Sequence, residues 1–510
     1  MNNFFNKIFS RLVIVSLSLL FQIAVLVLAL VFFRQEFAFV QAGFMLMSFC
    51  LTIHIVSGNR NAGYKIAWLI PILVLPVFGI LIYFLFGRRT PTRAQRTKLA
   101  KLEQKVRISV SAQPPAREVL TDASPSALRQ ATYLEAAVNA PVYINTYTEY
   151  LPQGELMYAR MLEEIAKAKH FIFLEYYILA EGRLWDELRA LLLQKKAEGV
   201  DVRIIYDDLG SIRRLPADFP SQLERLGIRC RVFHRFRPFL TGSFNCRDHR
   251  KILIIDGHTA FTGGLNLADE YINLISPYGH WLDSGILLRG EGVWSFTVMF
   301  LSMWENLGPG DRDYSLFRPK SALVPTPAAG FVQPFSDEPH DDETVGKTAF
   351  LNLISRAERY VYICTPYLIP DNELVTALIA AAKSGVDVRI ITPGVPDKWF
   401  VHTLTHSYYP ELIRAGVRVY EYSPGFIHGK TLVCDDELAI CGTINFDYRS
   451  FYLQYECGVW MYRTPAIAQM HEDFLRTLER CEEITAAHCD AFPLVKRIMQ
   501  SLLRIFAPLL

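Results

Sequence analysis

His249-Arg250-Lys251-Ile252-Leu253-Ile254-Ile255-Asp256 returns 179 residues later as His428-Gly429-Lys430-Thr431-Leu432-Val433-Cys434-Asp435, giving two copies of H-x-K-x4-D. Each copy is followed at the same offset by a glycine-containing turn that ends in Asn: Gly263-Gly264-Leu265-Asn266 and Gly442-Thr443-Ile444-Asn445. The residues between Lys and Asp are apolar or nearly so, which suits a strand buried on both faces. In an extended strand residues i and i+2 project to one side, so each His points with its Lys. Imidazole serves as nucleophile or as general acid and base near neutral pH, and a neighbouring ammonium stabilises charge on phosphoryl oxygens without a metal. The pair therefore points to phosphoryl transfer. A single His on an apolar strand is more often a packed core residue than a catalyst, but two copies with matching tails, inside a longer repeat, set that reading aside.

The longer repeat runs outward from the motifs. Phe171-Ile172-Phe173-Leu174-Glu175-Tyr176-Tyr177, a helical stretch and Gly199-Val200-Asp201-Val202-Arg203-Ile204-Ile205 are echoed by Tyr360-Val361-Tyr362-Ile363-Cys364-Thr365-Pro366, a helical stretch and Gly385-Val386-Asp387-Val388-Arg389-Ile390-Ile391. A short strand over residues 227–233, echoed at 416–420, then precedes each motif. Strand, helix, strand, twice, predicts two α/β lobes with mixed, largely parallel sheets flanked by helices. The lobes are expected over residues 131–328 and 329–490, divided within the Pro-rich stretch from Pro319 to Pro334.

Composition bounds the rest. The chain has 510 residues, enough for two or three domains, and 51% of them are hydrophobic. The excess lies at the N-terminus, where Leu12 to Phe33, Phe37 to Ser57 and Ile66 to Phe86 are apolar runs of about membrane-spanning length. Residues 1–90 are therefore expected to hold two or three transmembrane helices, with Pro71 and Pro76 compatible with a spanning helix or a re-entrant segment. The first run is too long for the apolar core of a signal peptide, so an anchor is expected rather than a cleaved leader. Eight Lys or Arg against Glu103 alone, between Arg88 and Arg107, make residues 91–130 a basic linker on the cytoplasmic side. The side on which the N-terminus lies depends on whether two or three runs span. A net charge of only +2 argues against a chain built to grip nucleic acid. Nine scattered cysteines, without C-x-x-C pairs, fit reduced thiols, and no metal site is implied. At the C-terminus, residues 491–510 contain a basic amphipathic helix with Leu494, Val495, Ile498, Met499, Leu502, Leu503 and Phe506 on one face, suited to a membrane surface or to docking on its own lobe.

Asn245-Cys246-Arg247-Asp248-His249-Arg250-Lys251, Phe261-Thr262-Gly263-Gly264-Leu265-Asn266, Thr365-Pro366-Tyr367 and Asp447-Tyr448-Arg449-Ser450 resemble the phospholipase D superfamily and, within it, the bacterial cardiolipin synthases. The resemblance covers nearly the whole chain. Thr443 stands where Ser is usual, Gln454 where Asn is usual, and Ser284-Gly285 where Thr-His is common. The resemblance implies that the lobes pack about a pseudo-twofold axis and bring both His-Lys pairs into one cleft. It also implies a two-step exchange in which His249 attacks a phosphodiester phosphorus and His428 protonates the departing alcohol, then activates the incoming one. The expected catalytic set is His249, Lys251, Asp256, His428, Lys430 and Asp435, with no cofactor and no metal. Lys251, Lys430, Asn266 and Asn445 would bind the phosphoryl oxygens, supported by Gly264 and Thr443 in the turns. Glu456, eleven residues after Asn445, and Asp283, at the analogous place in the first lobe, are the candidates for the carboxylate that fixes the imidazole tautomer. Asp256 and Asp435 follow buried strands, so support of the fold and chemistry stay equally open for them. The implied reaction joins two phosphatidylglycerol molecules into cardiolipin and glycerol, with membrane lipids of the bacterial inner membrane as partners. Hydrolysis by a membrane-anchored phospholipase D is the alternative, and a nuclease comes third.

Overall fold

The computed structural model describes residues 37–87, 93–110, 114–235, 246–311, 313–319, 328–340 and 343–509, and before them only Leu20 and Ala24. The expected run from Leu12 to Phe33 thus lies outside the described residues, as do Arg88, Arg89 and most of the Pro-rich stretch.

The first lobe contributes β1 (Thr146–Leu151), β2 (Phe171–Tyr176), β3 (Asp201–Asp207), β4 (Arg229–Phe233), β5 (Arg247–Asp248), β6 (Lys251–Ile255), β7 (Thr259–Gly263), β8 (His280–Leu282) and β9 (Gly285–Gly290). The second contributes β10 (Phe331–Asp337), β11 (Tyr360–Cys364), β12 (Asp387–Pro393), β13 (Arg418–Tyr422), β14 (Gly425–Ile427), β15 (Thr431–Cys434), β16 (Leu438–Gly442), β17 (Gln454–Tyr462) and β18 (Cys481–Ile484). The sheet orders are β1-β9-β7-β6-β2-β3-β4 and β10-β17-β16-β15-β11-β12-β13-β18, the same path in both lobes with one added edge strand.

The repeat of Gly-Val-Asp-Val-Arg-Ile-Ile has a backbone cause. Gly199 and Gly385 end the helices Arg183–Ala197 and Asn372–Lys383 with φ of +92° and +94°, a left-handed turn that aims the chain into β3 and β12. The motif strands alternate as a doubly buried strand must. Ile252 and Ile254 enter the core shared between the lobes, while Leu253 and Ile255 enter the first lobe's outer core. In the shared core Ile252, Ile254 and Ile286 meet Val433, Cys441 and Val459, so the two sheets pack face to face.

Three expectations need correction. The sheets are not largely parallel, because along the two strand orders just given only β2-β3-β4 and β11-β12-β13 run parallel. Each motif strand is antiparallel to its neighbours, since the three residues Asp256–His258 or Asp435–Glu437 join it to the next strand, too few for a crossover. The stretch 91–130 is not a linker but three helices, Arg93–Ser109, Pro114–Ala123 and the start of Pro125–Val138. Lys98 and Lys105 of the first tie it to the first lobe, through Asn306 O and the Glu305 carboxylate, each at 2.6 Å. The other two belong to the second lobe, where Leu120, Ala127, Ala131 and Leu134 pack with Phe335 and Val345. A lobe boundary at residue 131 therefore cuts through a helix of the wrong lobe. The polar, Pro-containing sequence hid these helices, although Ser124 caps Ala127 N and Pro125 sits at the first helical position, where proline is favoured.

Residues 37–87 form the helices Phe37–Ser57, Ala62–Val74 and Pro76–Ile82 and a final π-helical turn. The run from Ile66 to Phe86 is broken at Leu75–Pro76, and Gly79 lies against the Pro71–Ile72 backbone, where a Cβ would meet Pro71 O at 2.2 Å. Among the described residues no helix is long and apolar enough to cross a membrane.

Candidate active site

Each histidine is held by the opposite lobe. β5 pairs in parallel with the start of β17, and the next amide, His249 N, donates to Tyr455 O at 2.9 Å. Reciprocally, β14 pairs in parallel with β8, and His428 N donates to Leu282 O at 2.7 Å. The residue after each accepting carbonyl is the carboxylate. His249 Nδ1 accordingly meets Glu456 Oε1 at 2.9 Å, and His428 Nδ1 meets Asp283 Oδ2 at 2.8 Å. Both predicted carboxylates are thus in place, but crossed between lobes, a pairing the sequence order does not reveal. This reciprocity is the pseudo-twofold relation in atomic form. With Nδ1 engaged, Nε2 is the atom each ring offers to a substrate.

The two carboxylates are supported differently by equivalent turn positions. Thr443 Oγ1 donates to Glu456 Oε2 at 2.5 Å, so the hydroxyl expected of a Ser is retained. Gln454, turned so that both ends are satisfied, donates to Glu456 Oε1 at 2.9 Å and accepts from Arg449 Nε at 3.2 Å. On the other side Gly264 leaves room for Asp283: a Cβ there would lie 1.9 Å from Asp283 Oδ1 and 2.6 Å from His428 O. Trp281 Nε1 and Ser284 N donate to Asp283 at 3.3 and 2.9 Å.

Lys251 donates to His249 O at 2.7 Å, and Lys430 donates to His428 O. Asn266 Oδ1 accepts from Ile178 N at 3.0 Å, and its side chain also meets Tyr271. Asn445 Oδ1 is buried with no protein partner, a polar atom suited to a ligand. Tyr177 stands edge-on to His249 at 5.0 Å, and Tyr271 to His428 at 5.5 Å. Arg250 Nε donates to Glu456 O at 3.2 Å from across the lobe boundary. None of these last three was singled out from the sequence. Tyr177 carried a usable signal as the polar end of an otherwise apolar strand, whereas Arg250, inside the motif, carried none.

Burial governs the electrostatics, because it disfavours charge on every group. It holds the His249 imidazole well below its ordinary value, helped by Lys251, Lys430 and His428, and lowers His428 to about 4, helped by Lys430. Burial also brings Lys251 down to about 8 and Lys430 to about 7, against the pull of Glu456 and Asp283. The carboxylates diverge. Burial pushes Glu456 well above the usual carboxyl range, whereas for Asp283 the opposing effect of His428 and Lys430 exceeds burial and holds it below. His428 therefore rests against a firm anion, and His249 against a carboxyl that shares its proton readily.

Asp256 and Asp435 are not with the other four. Each follows its strand, roughly 16 Å from the lysine along the chain. Asp256 accepts from Lys169 N, His170 N and Phe171 N at 2.7–2.8 Å, and Asp435 from Glu358 N, Arg359 N and Tyr360 N at 2.7–2.9 Å. Both close the turn before the neighbouring strand, away from the imidazoles and lysines. Cys434 and Cys441 are core residues whose thiols burial pushes up.

Comparison with known proteins places this geometry in a family. The family model "Cardiolipin synthase, PLD-like domain" matches residues 161–276 and 350–478, and a "Phospholipase_D-nuclease N-terminal" model matches residues 46–88. A Streptococcus mutans protein without an assigned function is 39% identical over 460 residues, 90% of this chain and 99% of its own. The cardiolipin synthase of a Geobacillus species is 36% identical over 459 residues, 89% of this chain and 90% of its own. Among solved structures, a phosphatidylserine synthase from Haemophilus influenzae shares the fold, with a TM-score of 0.56 and 16% identity over 75% of this chain and 98% of its own. With both motif lobes matched and relatives aligned from end to end, the chain belongs to the bacterial cardiolipin synthases of the phospholipase D superfamily.

Proposed function

We propose that the chain is a phosphatidyltransferase that converts two phosphatidylglycerol molecules into cardiolipin and glycerol. The crossed His–carboxylate pairs over two buried lysines carry this reading, in a chain whose cardiolipin synthase relatives align over 89–92% of it. In the first step His249 Nε2 attacks phosphorus, the bond to the headgroup glycerol oxygen breaks, and His428 Nε2 gives that oxygen its proton. The products are a phosphatidyl-histidine and free glycerol. In the second step a headgroup hydroxyl of another phosphatidylglycerol gives its proton to His428 and attacks phosphorus, and the P–N bond breaks. The lysines, with Asn266 and Asn445, bear the charge on the phosphoryl oxygens, stabilised in a water-poor cleft. His249 suits the nucleophile because burial keeps its imidazole neutral, and the acid role falls to His428, whose Nδ1 is held by the Asp283 anion while burial and Lys430 make its Nε2 proton a ready one to give up.

Membrane anchoring through residues 1–87, with both lobes in the cytoplasm, completes the proposal. Supporting it are the exposed apolar side chains of Met45, Leu46, Phe49 and Leu73 and the cationic stretch that follows. Because both substrates lie in the bilayer, an anchored cleft meets them at raised effective concentration. The test is lipid mass spectrometry after incubating wild type and His249→Ala with phosphatidylglycerol vesicles. Wild type should make cardiolipin and glycerol, and the variant none; phosphatidic acid without cardiolipin would replace transfer by hydrolysis.

A further inference from the structure

The C-terminal helix Leu494–Phe506 is docked inside out. Most of its apolar residues point to solvent, with Val495 71% and Leu502 54% exposed, while Leu503 packs on the second lobe's core and Gln500 is only 6% exposed. The polar side is what binds. Lys496 Nζ lies 3.0 Å from His406 Nδ1, and Arg504 reaches Glu411 at 2.5 Å and Ser407 O at 3.3 Å while stacking over Tyr408. His406 Nε2 in turn lies 2.6 Å from Glu421. The donor atoms of His402, His406 and Glu421 lie within 4.8 Å of one another, a spacing that metal sites share, but the lysine ammonium already fills the cationic role there. The cluster is a latch for the helix. An ordinary surface helix buries its apolar stripe and exposes its charges, so this one has been turned for something apolar outside the lobe.

The outward face continues into other elements. Pro508, just past the helix, packs near Gly63, and Asn61 beside it donates to Tyr452 of the second lobe at 3.1 Å. The helix Ala62–Val74 leaves Ile66, Leu73 and Val74 exposed on the same flank, and Trp399, on the helix that the C-terminal one contacts, is 65% exposed. The C-terminal helix carries Lys496, Arg497 and Arg504 and no acid. Exposed apolar side chains and a tryptophan on helices in mutual contact, beside a helix whose charged residues are all basic, are the signature of contact with anionic headgroups and the acyl boundary beneath them.

We propose that this face, made of the outward residues of Leu494–Phe506 with Trp399 and the flank of Ala62–Val74, rests on an anionic phospholipid surface. The latch to His406 and Glu411 then makes the second lobe rigid with that surface. The helix becomes a strut, about 20 Å long, that sets the tilt of the cleft to the bilayer supplying its substrate. The inference rests on the membrane-bound reading of the function and deepens it, since an N-terminal anchor alone tethers the lobes without orienting them.

The test uses the full-length protein, carrying Cys50→Ser and an environment-sensitive fluorophore on Leu502→Cys or, as a control, on Glu479→Cys, in phosphatidylglycerol–phosphatidylcholine vesicles. Brominated phospholipids should quench the label at 502 and leave that at 479 unchanged. A label at 502 that stays in water overturns the proposal. So does one that is shielded but unquenched, which means residues 1–36 cover the face, or one whose shielding falls on diluting the protein in lipid, which means a second copy does. A second variant, Ile498→Glu with Leu502→Glu, should lose about 10-fold or more of transfer from bilayer phosphatidylglycerol while staying within about 2-fold on monomeric short-chain phosphatidylglycerol. Equal rates on both substrates, or equal losses, overturn the strut and leave the catalytic reading intact; absence of transfer to short-chain lipid by the parent protein fails the catalytic reading itself.

Discussion

At the scale of single residues, the two halves of the cleft reach one end by opposite means. Position 264 must lack a Cβ because Asp283 occupies that space, whereas position 443 must offer a hydroxyl because Glu456 needs a donor. Gly264→Ala should displace Asp283 by more than an ångström and lower kcat on the order of 10²-fold, measured by cardiolipin formation, with little change in thermal stability. An unaffected kcat would show that Asp283 does not position His428. The charges of the cleft predict a pH profile. His428 must carry a proton, which burial places at about 4 in the free enzyme, so kcat/KM declines above that value and falls more steeply as the lysines, which must be protonated to hold phosphate, lose theirs through about 7 and then about 8. His249 must be neutral, and because burial lowers its value the activity should hold as pH falls well past the ordinary imidazole range. Bound phosphodiester favours the ammonium forms, so the alkaline limb of kcat should lie above that of kcat/KM. An alkaline limb near the value of a solvated lysine would contradict the burial argument.

At the scale of elements, the motif divides into a working end and a structural end. Asp256 and Asp435 sit at φ of 53° and 55°, and their carboxylates gather three amides each, which joins the end of the motif strand to the start of β2 or β11. Asp256→Ala leaves those amides unmatched and puts an ill-suited residue in the left-handed region. It should cost roughly 3 kcal/mol of stability, and Asp256→Asn less, because Asn keeps an acceptor and tolerates that conformation. Denaturant titration checks this, and activity per folded molecule should stay near that of wild type. A large loss of kcat without loss of stability would return Asp256 to the chemistry.

For the whole molecule, the crossed pairing means that neither lobe owns a complete site. The first lobe's His249 is aligned by the second lobe's Tyr455 and Glu456, and the second lobe's His428 by the first lobe's Leu282 and Asp283. The amides of His249 and His428 should therefore exchange with solvent together, and only as slowly as the shared core between the sheets opens. Hydrogen exchange with mass spectrometry reads this directly; independent or fast exchange at either histidine would mean that the lobes separate without disturbing the core.

Two periodicities were legible in the chain alone: the internal repeat that makes two α/β lobes, and the alternation that aims each His with its Lys. Both are local, because a strand's side-chain period and a helix-ending glycine depend on a few neighbouring residues. The carboxylates were legible as candidates because Glu456 follows Asn445 by eleven residues and Asp283 holds the analogous place in the first lobe after a longer loop. Their partners were not, since contact across 207 and 145 residues is decided by how two sheets pack rather than by any residue's neighbours. The same holds for the helices Pro114–Ala123 and Pro125–Val138, which precede the first lobe in sequence and which packing gives to the second. The C-terminal helix shows the division most plainly. Its apolar stripe was evident from spacing, yet only the docking of Lys496 and Arg504 on the second lobe decided that the stripe faces outward. A pattern states which residues share a face, and tertiary contacts state what that face meets.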